Sequence, residues 1–184
     1  MKKTLRDYIY LALMAGVIVA VDQITKSIVR NNLGFREMWV PFDWLAPYAR
    51  IVHWYNTGAA FGMFQGLSVV FTVLAFVVAG AIIYYYRFVP REDWTMRLAM
   101  GLQLGGALGN LVDRLTIGHV TDFISIGAFP VFNVADSSIT VGVIVLVLGV
   151  WIQERREKAA AKAAPAETTE PVEPAPDIEQ EKVL

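Results

Sequence analysis

The sequence predicts a mainly α membrane protein: a four-transmembrane-helix bundle with a small β-rich extracytoplasmic lip between helices 1 and 2. Three observations carry that reading. Hydrophobic residues make up 55% of the 184 and charged residues only 18%, against about a quarter charged in soluble domains. Four apolar runs approach the roughly 20 residues with which a helix crosses a hydrocarbon core. Between the first two runs lies a segment rich in aromatic and β-branched residues, broken by Pro41, Pro47, Gly58 and Gly62, which reads as short strands.

The first run covers residues 8–29 and is interrupted by Asp22, Gln23 and Lys26. Its basic flank also suits a signal peptide, but the run is too long and no small-residue cleavage site ends it. It is read as a retained span. The lip covers residues 31–65. The second span, 67–86, has no charge; the third and fourth run over 96–111 and 134–152. Gly101, Gly105 and Gly109, and likewise Ala12, Gly16 and Ala20, recur every four residues. That spacing lines one helical face with small residues and predicts close packing of neighbours. Residues 1–158 thus form the bundle domain. Residues 159–184 hold two Lys against six Asp/Glu, so the overall charge of −1 joins a +3 body to a −4 tail. The Ala-Pro-Glu tail has no apolar period and is expected to be disordered.

Flanking charge sets orientation. Lys2, Lys3 and Arg6 precede the first span, Arg87, Arg91 and Arg97 lie between or at the edges of the second and third, and Arg155, Arg156 and Lys158 follow the fourth. The other two connections are less basic for their length: Arg36 and Arg50, with Arg30 at the edge of the first span, lie in the long one, and Arg114 alone in the second. Both termini, and the tail, are therefore expected in the cytoplasm.

With no Cys and two His, disulfides, thiolate metal sites and cysteine nucleophiles are excluded, and a histidine-built metal cluster is disfavoured. The apolar composition disfavours a soluble enzyme and a nucleic-acid binder. The polar residues that remain collect at one level. Asp22 and Lys26 lie in the outer half of the first span, Asn110, Asp113 and Arg114 at the outer end of the third. Asn133 and Asp136 open the fourth, and Asn56 and Asp122 lie in the outer connections. Several have structural explanations. Asp22 and Lys26 are i, i+4 and can neutralise each other. Asn110 and Asp113 share a helical face, and Arg114 suits a helix C-terminus. Asn133 and Asp136 read as N-cap and N3, and His119 as an interfacial polar residue. Asp122 has no such neighbour.

A Ser–Lys dyad fails because adjacent Lys26 and Ser27 point about 100° apart on a helix. A metal would want three clustered ligands, whereas these carboxylates come mixed with Lys and Arg; no metal or cofactor is expected. Two close carboxylates share one proton. One can activate water while the other polarises a peptide carbonyl, and Asp136 at a helix N-terminus is favoured as the anion. Peptide hydrolysis at the outer membrane surface follows. A transporter or proton-coupled channel is the main alternative class, but would show polar residues through the bilayer depth or inverted halves. A scaffold with its aspartates serving only as caps is the third.

Val21-Asp22-Gln23-Ile24-Thr25-Lys26, Asn56-Thr57-Gly58-Ala59-Ala60-Phe61-Gly62, Gly105 to Arg114 with Gly118 to Phe123, and Phe132 to Ser137 resemble blocks of the bacterial lipoprotein signal peptidases, or signal peptidase II. The resemblance runs in family order from residue 8 to about 152. It implies an aspartyl endopeptidase of the cell inner membrane that removes signal peptides from prolipoproteins, cutting just before a diacylglyceryl-modified cysteine. The family's catalytic aspartates fall on Asp122 and Asp136. Asp113 is a rival for the first, read as supporting because Arg114 adjoins it and Asn110 shares its face. Asp22, Lys26, Asn56, Asn110, Asp113, Arg114 and Asn133 take substrate-binding or supporting positions. The family's lip and interfacial helix map onto residues 31–65. The implied partners are prolipoprotein and membrane lipid, with no nucleic acid, no cofactor and a monomeric enzyme. Residues 123–135 form a shorter connection than in some members, and the tail after Lys158 has no family counterpart. Ala15, Gly16, Gly105 and Gly109 would leave room for an extended peptide, or equally serve helix packing.

Overall fold

The computed structural model describes residues 5–58 and 67–163. Seven elements follow one another: α1 (Leu5–Asn32), β1 (Met38–Trp39), β2 (Ala49–Asn56), α2 (Ser68–Tyr86), α3 (Trp94–Ile117), β3 (Val120–Ile126) and α4 (Val134–Ala163), with a 3-10 turn at Asp43–Leu45. Residues 59–65 of the expected lip, including Ala59 to Gly62 of the second sequence block, lie outside the described residues. So does the tail from 164 onward; α4 itself continues to Ala163.

Helices α1, α2 and α4 are long and apolar enough to cross a membrane, with mean hydropathies of 1.7, 2.2 and 2.0 in their most apolar windows. Leu13, Val17, Val21, Ile24 and Ile28 form an exposed stripe on α1, and Val69, Val73, Phe76 and Val77 another on α2. Such stripes cost free energy in water and none in lipid. Helix α3 is different. It packs against α1, α2 and α4 and buries Ala99, Gly101, Leu104–Ala107, Gly109–Leu111 and Asp113. Facing protein rather than lipid, it carries glycines and polar groups that a lipid-exposed helix would not tolerate.

The glycines explain how close α3 comes. A Cβ on Gly105 would stand 2.6 Å from Ile18 Cβ, and one on Gly109 2.8 Å from Asp22 Oδ2. On the other side, a Cβ on Gly106 would meet the Ala135 carbonyl at 2.5 Å. The stripe Gly101–Gly105–Gly109 is therefore filled by α1 and holds no room for a peptide. The second stripe corrects the sequence reading. Ala12, Gly16 and Ala20 are exposed, and nothing lies within 4 Å of a Cβ on Gly16. The packing face of α1 runs instead through Leu11, Ala15, Asp22 and Lys26.

The strands form one antiparallel sheet in the order β1-β2-β3. Two come from the connection between α1 and α2. The third, β3, comes from the connection between α3 and α4, so the sheet is not confined to residues 31–65. β2 and β3 pair Trp54 with Asp122 and Asn56 with Val120. Alternation along β3 puts Val120 and Asp122 on one face, and Asn56 therefore points toward Asp122. After β3 the chain turns at Gly127, whose φ of 51° suits a residue without Cβ. It folds back so that Phe132 exchanges backbone hydrogen bonds with Ile124 (2.8 and 3.0 Å). This short return delivers Asn133, the residue before α4, beside Asp122.

Candidate active site

All nine residues singled out from the sequence converge where the sheet meets the ends of α1, α3 and α4. The buried centre is Lys26, with 0% exposure. Its ammonium reaches Asp22 Oδ2 at 2.8 Å, Asn110 Oδ1 at 2.9 Å and Asp113 Oδ2 at 3.3 Å. Three N–H donors meet three acceptors, which is what makes a buried ammonium tolerable. The expected Asp22–Lys26 pair is present but belongs to a larger network. Asp113 also receives the Thr121 backbone N–H (2.9 Å) and Arg30 Nη1 (3.3 Å), so it ties α3 to β3 and α1.

Asp136 sits at N3 of α4. Its Oδ2 accepts the Asn133 backbone N–H at 3.3 Å, while its own N–H donates to Asn133 Oδ1 at 2.9 Å. This reciprocal pair is the capping arrangement expected from the sequence. Asn110 Nδ2 donates to Asp136 Oδ1 at 2.8 Å. Asp122, on β3, is 1% exposed. Asn133 Nδ2 donates to its Oδ1 at 2.6 Å and Asn56 Nδ2 to its Oδ2 at 2.9 Å. Asn133 thus binds both carboxylates, one through its side chain and one through its backbone. Burial first, and then the nearby charge of Asp136, push the Asp122 carboxyl up to about 7. The amides of Asn56 and Asn133 oppose that rise by favouring the anion.

Asn56, Asn110, Arg114 and Asp136 form the polar wall of a cavity of about 530 Å³, with Phe71 and Phe132 among its apolar lining. Arg114 has no ion pair among the described residues; its buried Nε is unpartnered and its guanidinium lies 5.7 Å from the Phe71 ring centre. His119 packs against Tyr55 and feels the charge of Asp113. Its ring stands 4.0 Å from that of Tyr55, and burial lowers its pKa below the usual imidazole value.

Three members of the network were not picked out from the sequence. Gln23 Nε2 donates to Gly109 O (3.0 Å) and Asp113 Oδ1 (3.2 Å). Arg30 Nη1 reaches Thr121 Oγ1 at 3.0 Å, and Thr121 is fully buried. Gln23, Lys26 and Arg30 are i, i+3 and i+7, one helical face, and that spacing was a signal for the first and third. Thr121 carried none, because its partners are distant in sequence.

Two buried carboxylates, joined through one asparagine, thus lie beside a cavity at the end of apolar helices in a multi-pass membrane protein. The model of signal peptidase (SPase) II matches residues 14–152. A lipoprotein signal peptidase from Shouchella clausii is 38% identical over 82% of this chain and 98% of its own length. One from Desulfitobacterium hafniense is 40% identical over 78% of this chain and 93% of its own. A solved bacterial membrane enzyme, 29% identical, superposes with a TM-score of 0.73 over 90% of this chain and 97% of that one. The chain belongs to the signal peptidase II family.

Proposed function

We propose that this chain is an aspartyl endopeptidase of the bacterial inner membrane that releases signal peptides from prolipoproteins, hydrolysing the bond before a diacylglyceryl-modified cysteine. The observation that carries the reading is the pair of hydrogen bonds that Asn133 donates, from its side-chain amide to Asp122 and from its backbone N–H to Asp136. It holds the two carboxyl groups in one polar cluster next to a cavity. The elevated Asp122 carboxyl suits the protonated member of the pair, and Asp136, at a helix N-terminus, the ionised one.

In this mechanism Asp136 takes a proton from a water molecule as its oxygen attacks the scissile carbonyl carbon. Asp122 gives its proton to the carbonyl oxygen, producing a neutral gem-diol. Return of the Asp136 proton to the peptide nitrogen, and of a diol proton to Asp122, breaks the C–N bond. A carboxyl terminus and a free cysteine amine result. Arg114, whose Nε is unpartnered beside the cavity, donates to a carbonyl of the extended substrate. The lipid chains of the substrate remain in the bilayer while its peptide enters the 530 Å³ cavity.

Helix α3 crosses the membrane with the other three in this reading, since its 24 residues give roughly 36 Å at 1.5 Å per residue. Both termini are cytoplasmic by the distribution of Lys and Arg, and the aspartates stand near the outer leaflet. The enzyme needs no cofactor and works as a monomer. A transporter is less favoured: α2 has no ionisable residue before its tyrosines, and none lies between Asp7 and Asp22 on α1 except Tyr8 and Tyr10.

Cleavage of a diacylglyceryl-modified prolipoprotein, followed as a gel shift, tests the assignment. Wild type should cut; Asp122→Asn and Asp136→Asn should be inactive while folded. Asp113→Asn should retain residual activity. Cutting by Asp122→Asn but not by Asp113→Asn would move the first catalytic position to Asp113, and an inactive wild type would remove the peptidase reading.

A further inference from the structure

At the opposite end of α1 two arginines bind one carboxylate and a third lines the same hollow. Asp7 is 5% exposed. Arg91 donates to it through Nη2 at 2.8 Å and Nε at 3.2 Å, and Arg97 through Nη1 at 3.0 Å. Arg6, exposed, precedes it in the chain. With Tyr10 and Trp94 these residues line a hollow of about 320 Å³. Asp7 balances one of the three guanidinium charges, leaving the lining with a positive surplus. Glu92 and Asp93 line an adjoining hollow with Arg156, and Asp93 is committed to the Met96 backbone N–H as the N-cap of α3.

The depth of this hollow is set by α1. Asp7 and Asp22 are separated by about 22 Å along a helix rising 1.5 Å per residue, against a hydrocarbon core of about 30 Å. Asp22 itself lies seven residues, about 10 Å, inside the outer end of the apolar run 8–29, so the two lengths together span the core and place the hollow at headgroup level in the leaflet away from the paired aspartates. Arg6, Tyr10, Leu13 and Val17 follow one another at i, i+4, i+7 and i+11, and all four are exposed. A cationic group, an aromatic ring and then aliphatic side chains descend one stripe of the helix, matching the phosphate, interface and acyl chain of a lipid.

We propose that this hollow binds the phosphate of an anionic phospholipid headgroup, with the acyl chains lying along the Leu13–Val17 stripe. Guanidinium forks match phosphate oxygens, and Asp7 holds Arg91 and Arg97 in place before the lipid arrives. The site is remote from Asp122 and Asp136 and does not depend on the peptidase reading.

Thermal unfolding of the full-length protein in a neutral detergent provides the test. Short-chain phosphatidylglycerol, short-chain phosphatidylcholine and inorganic phosphate are added separately at matched ionic strength. Phosphatidylglycerol should raise Tm in a saturable way, with neither of the others doing so. Arg6→Gln and Arg91→Gln should each weaken the apparent affinity about fivefold, while Arg155→Gln, on the same side of the membrane but outside the hollow, should not. Because Arg91→Gln also removes a partner of buried Asp7, the exposed Arg6 decides if that variant fails to fold. Equal shifts with phosphatidylcholine, or wild-type affinity in Arg6→Gln, overturn the site. An equal shift with inorganic phosphate alone makes the ligand a soluble anion and overturns the lipid assignment. Equal weakening by Arg155→Gln reduces the effect to general surface charge and overturns it as well.

Discussion

Asp22 on α1 accepts the backbone N–H of Ala135 on α4 at 2.9 Å. The first N–H groups of a helix have no partner within it, and in a buried setting each must find one elsewhere. Asn133 takes the N–H of Asp136, and Asp22 takes that of Ala135. Its other oxygen binds Lys26. One carboxylate thereby links the start of α4, which carries Asp136, to the charge network of α1 and α3. Lys26 is the residue on which that network balances.

Lys26→Ala should destabilise the protein by about 3–5 kcal/mol, because it leaves Asp22 and Asp113 buried without their shared cation. Arg30→Ala should cost about 1 kcal/mol or less, since Arg30 is 27% exposed and supplies one edge of the cluster. Denaturant unfolding in mixed micelles compares them. Equal costs would mean that Lys26 is not the centre of the network.

The elevated Asp122 carboxyl makes two pH predictions with a common sign. If protonated Asp122 donates to the scissile carbonyl, cleavage should fall as pH rises through about 7. Asn56→Ala removes a hydrogen bond that favours the Asp122 anion, so it should move this alkaline limb to higher pH. Stability follows the same proton. The unfolded chain releases it near the ordinary value of 3.8 and the fold only near 7, so the fold loses stability as pH rises through that window. Asp122→Asn has no proton to lose. Its Tm advantage over wild type should grow between pH 4 and 7 and then level off; a constant difference would mean that Asp122 titrates normally in the fold.

Gly106→Ala should separate α3 from α4, because its Cβ would meet the Ala135 carbonyl at 2.5 Å and Ser138 Oγ at 2.6 Å. Overpacking of this kind costs about 1–3 kcal/mol, and the shift would also displace Asp136, so activity should fall with stability. Gly16→Ala should be neutral or stabilising by up to about 1 kcal/mol, since alanine favours helix and nothing stands in its way. Paired melting curves and cleavage rates check both.

The orientation can be read with a membrane-impermeant thiol reagent, as the chain has no native Cys. Val40→Cys should label from outside intact cells and Pro90→Cys only after permeabilisation. The opposite pattern would invert the topology.

Much of the site was legible in the sequence because its polar residues have few roles to choose from in so apolar a chain. Asp22–Lys26 and Asn133–Asp136 are local pairs, set by helix periodicity and by the needs of a helix N-terminus, and both stand as expected. The unpaired position of Asp122 in sequence was informative for the same reason: its partners had to come from elsewhere. Gln23 and Arg30 shared a face with Lys26, but a shared face does not say what lies opposite it. The stripe Ala12–Gly16–Ala20 makes the same point in reverse, since its spacing is right for packing and its face is exposed.

By itself, then, the sequence determined the membrane class, the apolar runs and the local caps, all of which depend on neighbours within a few residues. The joining of β3 to the sheet, Asn56 and Asn133 meeting on Asp122, Asn110 holding Asp136 and Asp22 capping α4 were decided only by tertiary structure. Those contacts link positions as far apart as Asp22 and Ala135. Their geometry depends on how closely α3 packs between α1 and α4, a distance that glycine permits but only the assembled bundle sets.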